Sequence, residues 1–168
     1  MRAALLAVAL APALVAGCGG GDGKPLPEAP AGLTITSPAF ENGGTIPKRF
    51  TCSGENISPP LRWGNVPSKA RELALLVQDP GADDFLHWGV LGIAPGSAGF
   101  DQGKVPSGVV QTQNGFGDRR WGGPCPPEGD KPHRYVFALY ALDAHVRSAD
   151  DIAKHALARG ELTGLFGR

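Results

Sequence analysis

The chain has no excess of charge of either sign: 16 Lys and Arg stand against 16 Asp and Glu in 168 residues. It has no basic stripe and no run of Lys or Arg. That excludes the electrostatic footprint of a nucleic-acid binder and of a polybasic membrane-surface segment. It has no apolar run long enough to span a bilayer. The longest, Ala3 to Ala16, is 14 residues and is broken by Pro12, too short for a membrane helix but the right length for the apolar part of a signal peptide. There is no Gly-x-Ser-x-Gly element, so the nucleophile elbow of a serine hydrolase is missing. There is no internal repeat, and the three cysteines are few enough to consider one by one.

Arg2 precedes the apolar run, which ends Leu14-Val15-Ala16-Gly17-Cys18. Small residues at 16 and 17 suit a peptidase cleft, and the thiol that follows is the nucleophile a lipid transferase needs. Residues 1–17 are therefore expected to be a signal peptide, and Cys18 the lipidated first residue of the mature chain. The alternative is an ordinary secreted protein with a cysteine at its cleavage site. From Gly19 to Pro30 the chain has no apolar periodicity and is rich in Gly and Pro. Residues 18–32 thus read as a tether and 33–168 as one domain, large enough for a sizeable core. The expected location is the cell envelope, lipid-anchored, on the periplasmic or extracellular face. In that oxidising setting the two remaining cysteines, Cys52 and Cys125, most often pair as a disulfide; the other possibility is two separate buried thiols.

Within the domain, Leu33–Thr36 alternates as a short strand, and Glu72–Val77 is a continuous apolar run of the buried-strand type. Phe85–Ile93 alternates, with Leu86, Trp88 and Val90 on one side and His87, Gly89 and Leu91 on the other. Val109–Gln113 is a further candidate. His133–Leu142 is apolar on both faces, the pattern of a central strand. Ala149–Arg159 reads as a helix: Ser148 can cap it, Asp150 and Asp151 sit in its first turn, and Gly160 can stop it. The fold expected is mainly β, with antiparallel strands and one late helix.

Three segments join unusual polar residues to rigid backbone. Asp79 follows the buried strand, in Gln78-Asp79-Pro80-Gly81. His87 lies inside an otherwise apolar strand. Trp121–Gly129 is a Gly/Pro loop that leads toward His133-Arg134-Tyr135. Separately each has an ordinary reading: a turn, a satisfied core histidine, a loop. Together they suit an anion, with imidazoles and loop N–H groups as donors and Asp79 to orient a histidine. Asp79, His87 and His133 could also meet a zinc ion, but their spacing is no recognised ligand signature. No metal and no cofactor are expected.

The segments Phe50-Thr51-Cys52-Ser53-Gly54-Glu55-Asn56-Ile57-Ser58-Pro59-Pro60-Leu61-Arg62-Trp63, Asp79-Pro80, His87-Trp88, Asn114-Gly115-Phe116-Gly117 and Gly122-Gly123-Pro124-Cys125-Pro126-Pro127, followed by His133-Arg134-Tyr135, come in a specific order. In them the chain resembles the phosphatidylethanolamine-binding protein family, in its bacterial Raf-kinase-inhibitor-like branch, from about Leu33 to the end. The resemblance implies two packed antiparallel β-sheets with one or two short peripheral helices, and a small open pocket for phosphate-like anions. Carried over by position, Asp79, His87 and His133 would be pocket walls, and Gly123, Pro127 and Tyr135 would close it. Two positions depart from the family's usual Asp-Pro-Asp-Ala-Pro: Gly81 replaces its second Asp, and Asp83 its second Pro.

The function expected is binding without turnover, of a phospholipid headgroup or another phosphorylated ligand. The alternative is a protein–protein interaction module that inhibits a protease or kinase-like partner in the envelope. A hydrolase with a histidine base ranks third. The partners expected are the anion, the membrane through the lipid, and an envelope protein in the second reading, with no nucleic acid.

Overall fold

The structure, a computed structural model, describes residues 23–168. Residues 1–17, expected to be a signal peptide, and Cys18 lie outside the described residues. Nine strands form two sheets: β1 (Thr34–Thr36), β2 (Gly44–Thr45), β3 (Leu61–Gly64), β4 (Glu72–Asp79), β5 (Phe85–Ile93), β6 (Gly99–Phe100), β7 (Val110–Gln111), β8 (His133–Leu142) and β9 (Ala156–Phe166). The smaller sheet has the order β1-β3-β6 and the larger β2-β9-β8-β4-β5-β7. Neighbours are antiparallel except β2 and β9, which are parallel. The candidate strand Val109–Gln113 shrinks to the two residues of β7, paired with Val90 and Leu91.

Burial explains why the central strands read so plainly. All eight residues of β4 are buried, and eight of the ten in β8. One face of the large sheet carries Leu73, Leu75, Val77, Phe137 and Leu139 against Ile35, Leu61, Trp63 and Phe100 from the small-sheet side. The other face carries Ala74, Leu76, Ala138, Tyr140 and Leu142, covered by Ile152, Leu26 and Ala29. With both faces covered, neither strand alternates apolar with polar residues.

The C-terminal region corrects the sequence reading. Ser148 does cap, its hydroxyl accepting from Asp150 N at 3.2 Å. What it caps is a single 3-10 turn, Ala149–Asp151; the helix α1 that continues it covers only Ile152–His155, and Ala156–Phe166 is a strand along the whole of β8, from Leu142↔Ala156 to His133↔Phe166. Its inward positions are Ala158, Gly160, Leu162, Gly164 and Phe166, a period of two. Two of the five are glycines, which hid the alternation and made Gly160 look like a helix stop. Close approach demands them. A Cβ on Gly160 would lie 2.5 Å from the Leu33 carbonyl oxygen, and one on Gly164 would collide with Ile46. Gly160→Ala is therefore expected to destabilise the domain by about 1–3 kcal/mol through overpacking. A lowered urea midpoint would show it, and an unchanged midpoint would mean that the backbone at Leu33 yields freely.

Residues 24–31, part of the stretch that reads as a tether, run across the outer face of the large sheet. Gln78 Nε2 donates to Lys24 O at 2.8 Å, and the Tyr140 hydroxyl to Pro27 O at 2.9 Å. Arg159 N donates to Pro30 O at 2.7 Å. The domain thus takes in residues well before Leu33.

Candidate functional site

Sheet order builds the site. β4 lies between β8 and β5, so the end of β4 meets the start of both neighbours. Asp79 is paired with Phe85 of β5, and on the other side Gln78 pairs with Val136 of β8, beside Tyr135 and His133. Asp79 is thereby set between the two histidines, although 54 residues separate it from His133.

His87 arrives through a β-bulge. Val77 pairs with Trp88 and Gln78 with Leu86, which leaves His87 as the extra residue. A bulge re-aims side chains, so the simple alternation expected for β5 breaks here: Trp88 and Val90 face the inter-sheet core while Leu86 packs on the outer face. The His87 ring lies 5.1 Å from that of Tyr135, edge-on, and the His133 ring lies 6.5 Å from it, nearly parallel (centroid distances).

Asp79 is buried, with 2% of its surface exposed. Its Oδ2 lies 2.6 Å from His133 Nδ1, and its Oδ1 accepts from Gly81 N at 2.9 Å. An ionised carboxylate only accepts, so His133 donates through Nδ1. His87 Nδ1 is 2.8 Å from Gly122 O, and a carbonyl also only accepts, so His87 is protonated at Nδ1. Burial pulls the His87 imidazole below its ordinary value, and the Gly122 carbonyl and the Asp79 charge oppose that only in part. Burial, and then the Asp79 charge, push the Tyr135 hydroxyl up, keeping it an O–H donor at neutral pH.

These bonds correct one expectation. A neutral imidazole has a single N–H, and in both rings it is taken inside the protein. Nε2 is then a lone pair, and each ring can donate outward only as imidazolium. Two of the loop's amides are used inside the protein. Gly122 N donates to His87 O at 3.1 Å, and Gly123 N to Asn56 Oδ1 at 2.8 Å. The prolines have no N–H. At Gly122 the Gly/Pro loop therefore supports His87 from behind, while the Cys125 N–H lies against the Tyr135 hydroxyl. Gly123 is required there, since a Cβ would collide with the Phe50 carbonyl. Pro127 is exposed and accepts from Asp130 N in a turn. That turn brings Asp130 Oδ2 to 3.9 Å from His133 Nε2.

Cys52 and Cys125 are joined in a disulfide, with 5.4 Å between their Cα atoms. It ties the loop to the segment after Phe50, alongside a bond from Cys52 N to Pro124 O at 3.1 Å. Sequence reasoning did not select Phe85 and Phe116. Their rings stack edge-on at 4.8 Å, and each lies against His87, at 5.0 and 5.6 Å. Phe116 is 51% exposed; its place in Asn114-Gly115-Phe116-Gly117 was the available signal. A mostly apolar cavity of about 450 Å³ adjoins the site at Phe85 and lies beneath residues 23–27, beside Leu76 and Leu86. It holds none of the titratable groups of the Asp79 cluster.

A family model described as phosphatidylethanolamine-binding protein matches residues 36–167. A UPF0098 protein of Methanothermobacter thermautotrophicus is 41% identical over 152 residues, 81% of this chain and 99% of that protein. LppC of Mycobacterium tuberculosis, named as a candidate lipoprotein, is 39% identical over 179 residues, 89% of this chain and 88% of its own. Two solved structures share the fold. CT736 of Chlamydia trachomatis, described as a phosphatidylethanolamine-binding protein homologue, superposes with a TM-score of 0.75 at 33% identity, over 82% of this chain and 98% of that one. YbcL of Escherichia coli, described as a member of the mammalian family, gives 0.76 at 29%, over 82% and 99%. The family match spans the strands that build the Asp79 cluster, and the chain belongs to the phosphatidylethanolamine-binding protein family.

Proposed function

We propose that the protein is an envelope lipoprotein that binds phosphate-type anions, as a phospholipid headgroup or another phosphorylated ligand, at His87, His133 and Tyr135, without turning them over. The observation that carries this is the shared arrangement of the two imidazoles. Each has Nδ1 committed to a protein acceptor, Asp79 Oδ2 or Gly122 O, and each flanks the Tyr135 ring. Protonation then adds an outward N–H and a positive charge to each ring. The two cysteine sulfurs are bonded to each other, which leaves neither as a free thiol nucleophile. LppC supports the lipoprotein part.

Binding is therefore coupled to proton uptake. Burial holds His87 neutral at pH 7, and an anion selects the protonated form. Because burial puts His87 below an ordinary histidine value of about 6.5, affinity should rise as pH falls from neutral and keep rising below that value. Sulfate stays a dianion across this range and so separates the protein's titration from that of phosphate. Calorimetric titration of both anions between about pH 8 and 5.5 is the test. His87→Ala with His133→Ala should weaken binding about tenfold or more at the acid end. Equal binding by wild type and this double variant would sink the proposal.

A further inference from the structure

The described chain starts beside the candidate pocket. A Cβ built on Gly23 would collide with the Asp83 carbonyl oxygen and lie 2.6 Å from Asp84 carbon and oxygen. Gly23 therefore rests on the backbone of the Asp83-Asp84 turn, where both residues have positive φ, 53° and 54°. That turn joins Asp79 to Phe85 and so forms one rim of the site. From Gly23 the chain is fixed at once. Lys24 O accepts from Gln78, Lys24 Nζ pairs with Asp150 at 2.8 Å, Pro27 O accepts from Tyr140 and Arg159, and Leu26 and Ala29 pack on the outer apolar cluster.

We propose that this docked strap is a short leash: it keeps the mouth of the pocket at the surface of the membrane that holds Cys18, so that the site meets headgroups of that leaflet. The inference rests on the lipid-anchor and anion-pocket readings above. Only five peptide steps separate Cys18 from Gly23, a reach of roughly 17 Å in any conformation. If the chain first touched the domain at Leu33, the fifteen steps from Cys18 would reach roughly 50 Å, enough to bring any face to the membrane. With the strap docked, the Asp83-Asp84 rim stays near the headgroups while the opposite end of the sheet does not have to. A second, independent observation points the same way. The most exposed aromatic ring on this rim is Phe116, 51% open to solvent and seated against Phe85 and His87. An apolar ring at a membrane interface is stabilised by partial insertion.

Full-length lipidated protein, reconstituted in vesicles that carry a headgroup-linked fluorescence quencher, tests the leash. A fluorophore is placed at Arg119→Cys, close to Phe116, or at Lys69→Cys, beyond the far end of β4; both positions are exposed. Quenching at 119 should exceed quenching at 69 by about twofold or more if the rim is held within the leash's reach. Inserting about 20 Gly/Ser residues between Gly21 and Asp22 adds an r.m.s. reach of roughly 25 Å and should abolish the difference while leaving sulfate affinity in solution unchanged. Equal quenching at the two positions in the wild type, a difference that survives the insertion, or a native chain without lipid on Cys18 would each overturn the leash. Failure of sulfate binding with the quenching difference intact would instead overturn the anion-pocket reading and leave the membrane seat standing.

Discussion

Replacing Cys52 and Cys125 together by Ser is expected to lower the stability of the domain by about 4 kcal/mol. The bridge links positions 73 residues apart, and in the chain-entropy model a loop of that size confines the unfolded chain strongly. Folded domains are stable by only about 5–15 kcal/mol, so the variant should melt roughly 10–15 °C lower. The native loop has other attachments. Cys52 N donates to Pro124 O, Trp121 Nε1 to Phe50 O at 3.1 Å, and Gly123 N to Asn56 Oδ1 at 2.8 Å. These hold Gly122 O near His87 without the sulfurs. Sulfate affinity of the folded variant should therefore stay within about threefold of wild type, since no charge-assisted bond to the ligand is removed. Chemical denaturation of the oxidised protein, the reduced protein and the double variant, with titrations under native conditions, measures both effects. Coincident midpoints would show that the bridge does not stabilise. A collapse of affinity at intact stability would show that it positions the loop directly.

What the sequence revealed depended on whether burial left a pattern. β4 and β8 are covered on both faces, and continuous apolar runs such as Leu73–Val77 and Tyr135–Leu142 announce that. β9 was opaque because close approach replaced side chains by Gly160 and Gly164 at inward positions. The strap at 24–31 was opaque for another reason: it is held by backbone carbonyls that accept from Gln78, Tyr140 and Arg159, and carbonyls have no sequence signature. The site shows the same division. Asp79, His87 and His133 stood out as polar residues at or inside apolar strands, yet the distance between Asp79 and His133 follows from β4 and β8 being neighbours, which no local pattern encodes. The direction of each imidazole proton was invisible too. It depends on Gly122 O and Asp79 Oδ2, and only the first of these is backbone. The bulge at His87 comes from the two-to-one pairing with β4, and a reading of β5 alone assigns Leu86 to the wrong face.

Asp79→Asn should change the anion site more than any other conservative substitution. The carboxylate is buried and accepts from both His133 Nδ1, at 2.6 Å, and Gly81 N. An asparagine can keep the Gly81 bond through Oδ1 and then faces His133 with its NH₂ group. Two donors cannot meet, so His133 must give up the proton at Nδ1 and accept there, with its single N–H moved to Nε2. Two consequences follow with opposite signs. The ring loses the charge that supported its imidazolium form, so at about pH 6 the variant should bind sulfate some 10- to 100-fold more weakly, the worth of a charge-assisted hydrogen bond. The neutral ring gains an outward N–H, so His133 now donates at any pH. The rise in affinity toward acid should become shallower, because only His87 still couples binding to proton uptake. Sulfate titrations of wild type and Asp79→Asn over the same pH range would show two curves that converge as pH rises. Parallel curves would mean that Asp79 acts only by its overall charge and does not set the His133 tautomer. A variant that matches wild type at pH 6 would remove Asp79 from the site altogether.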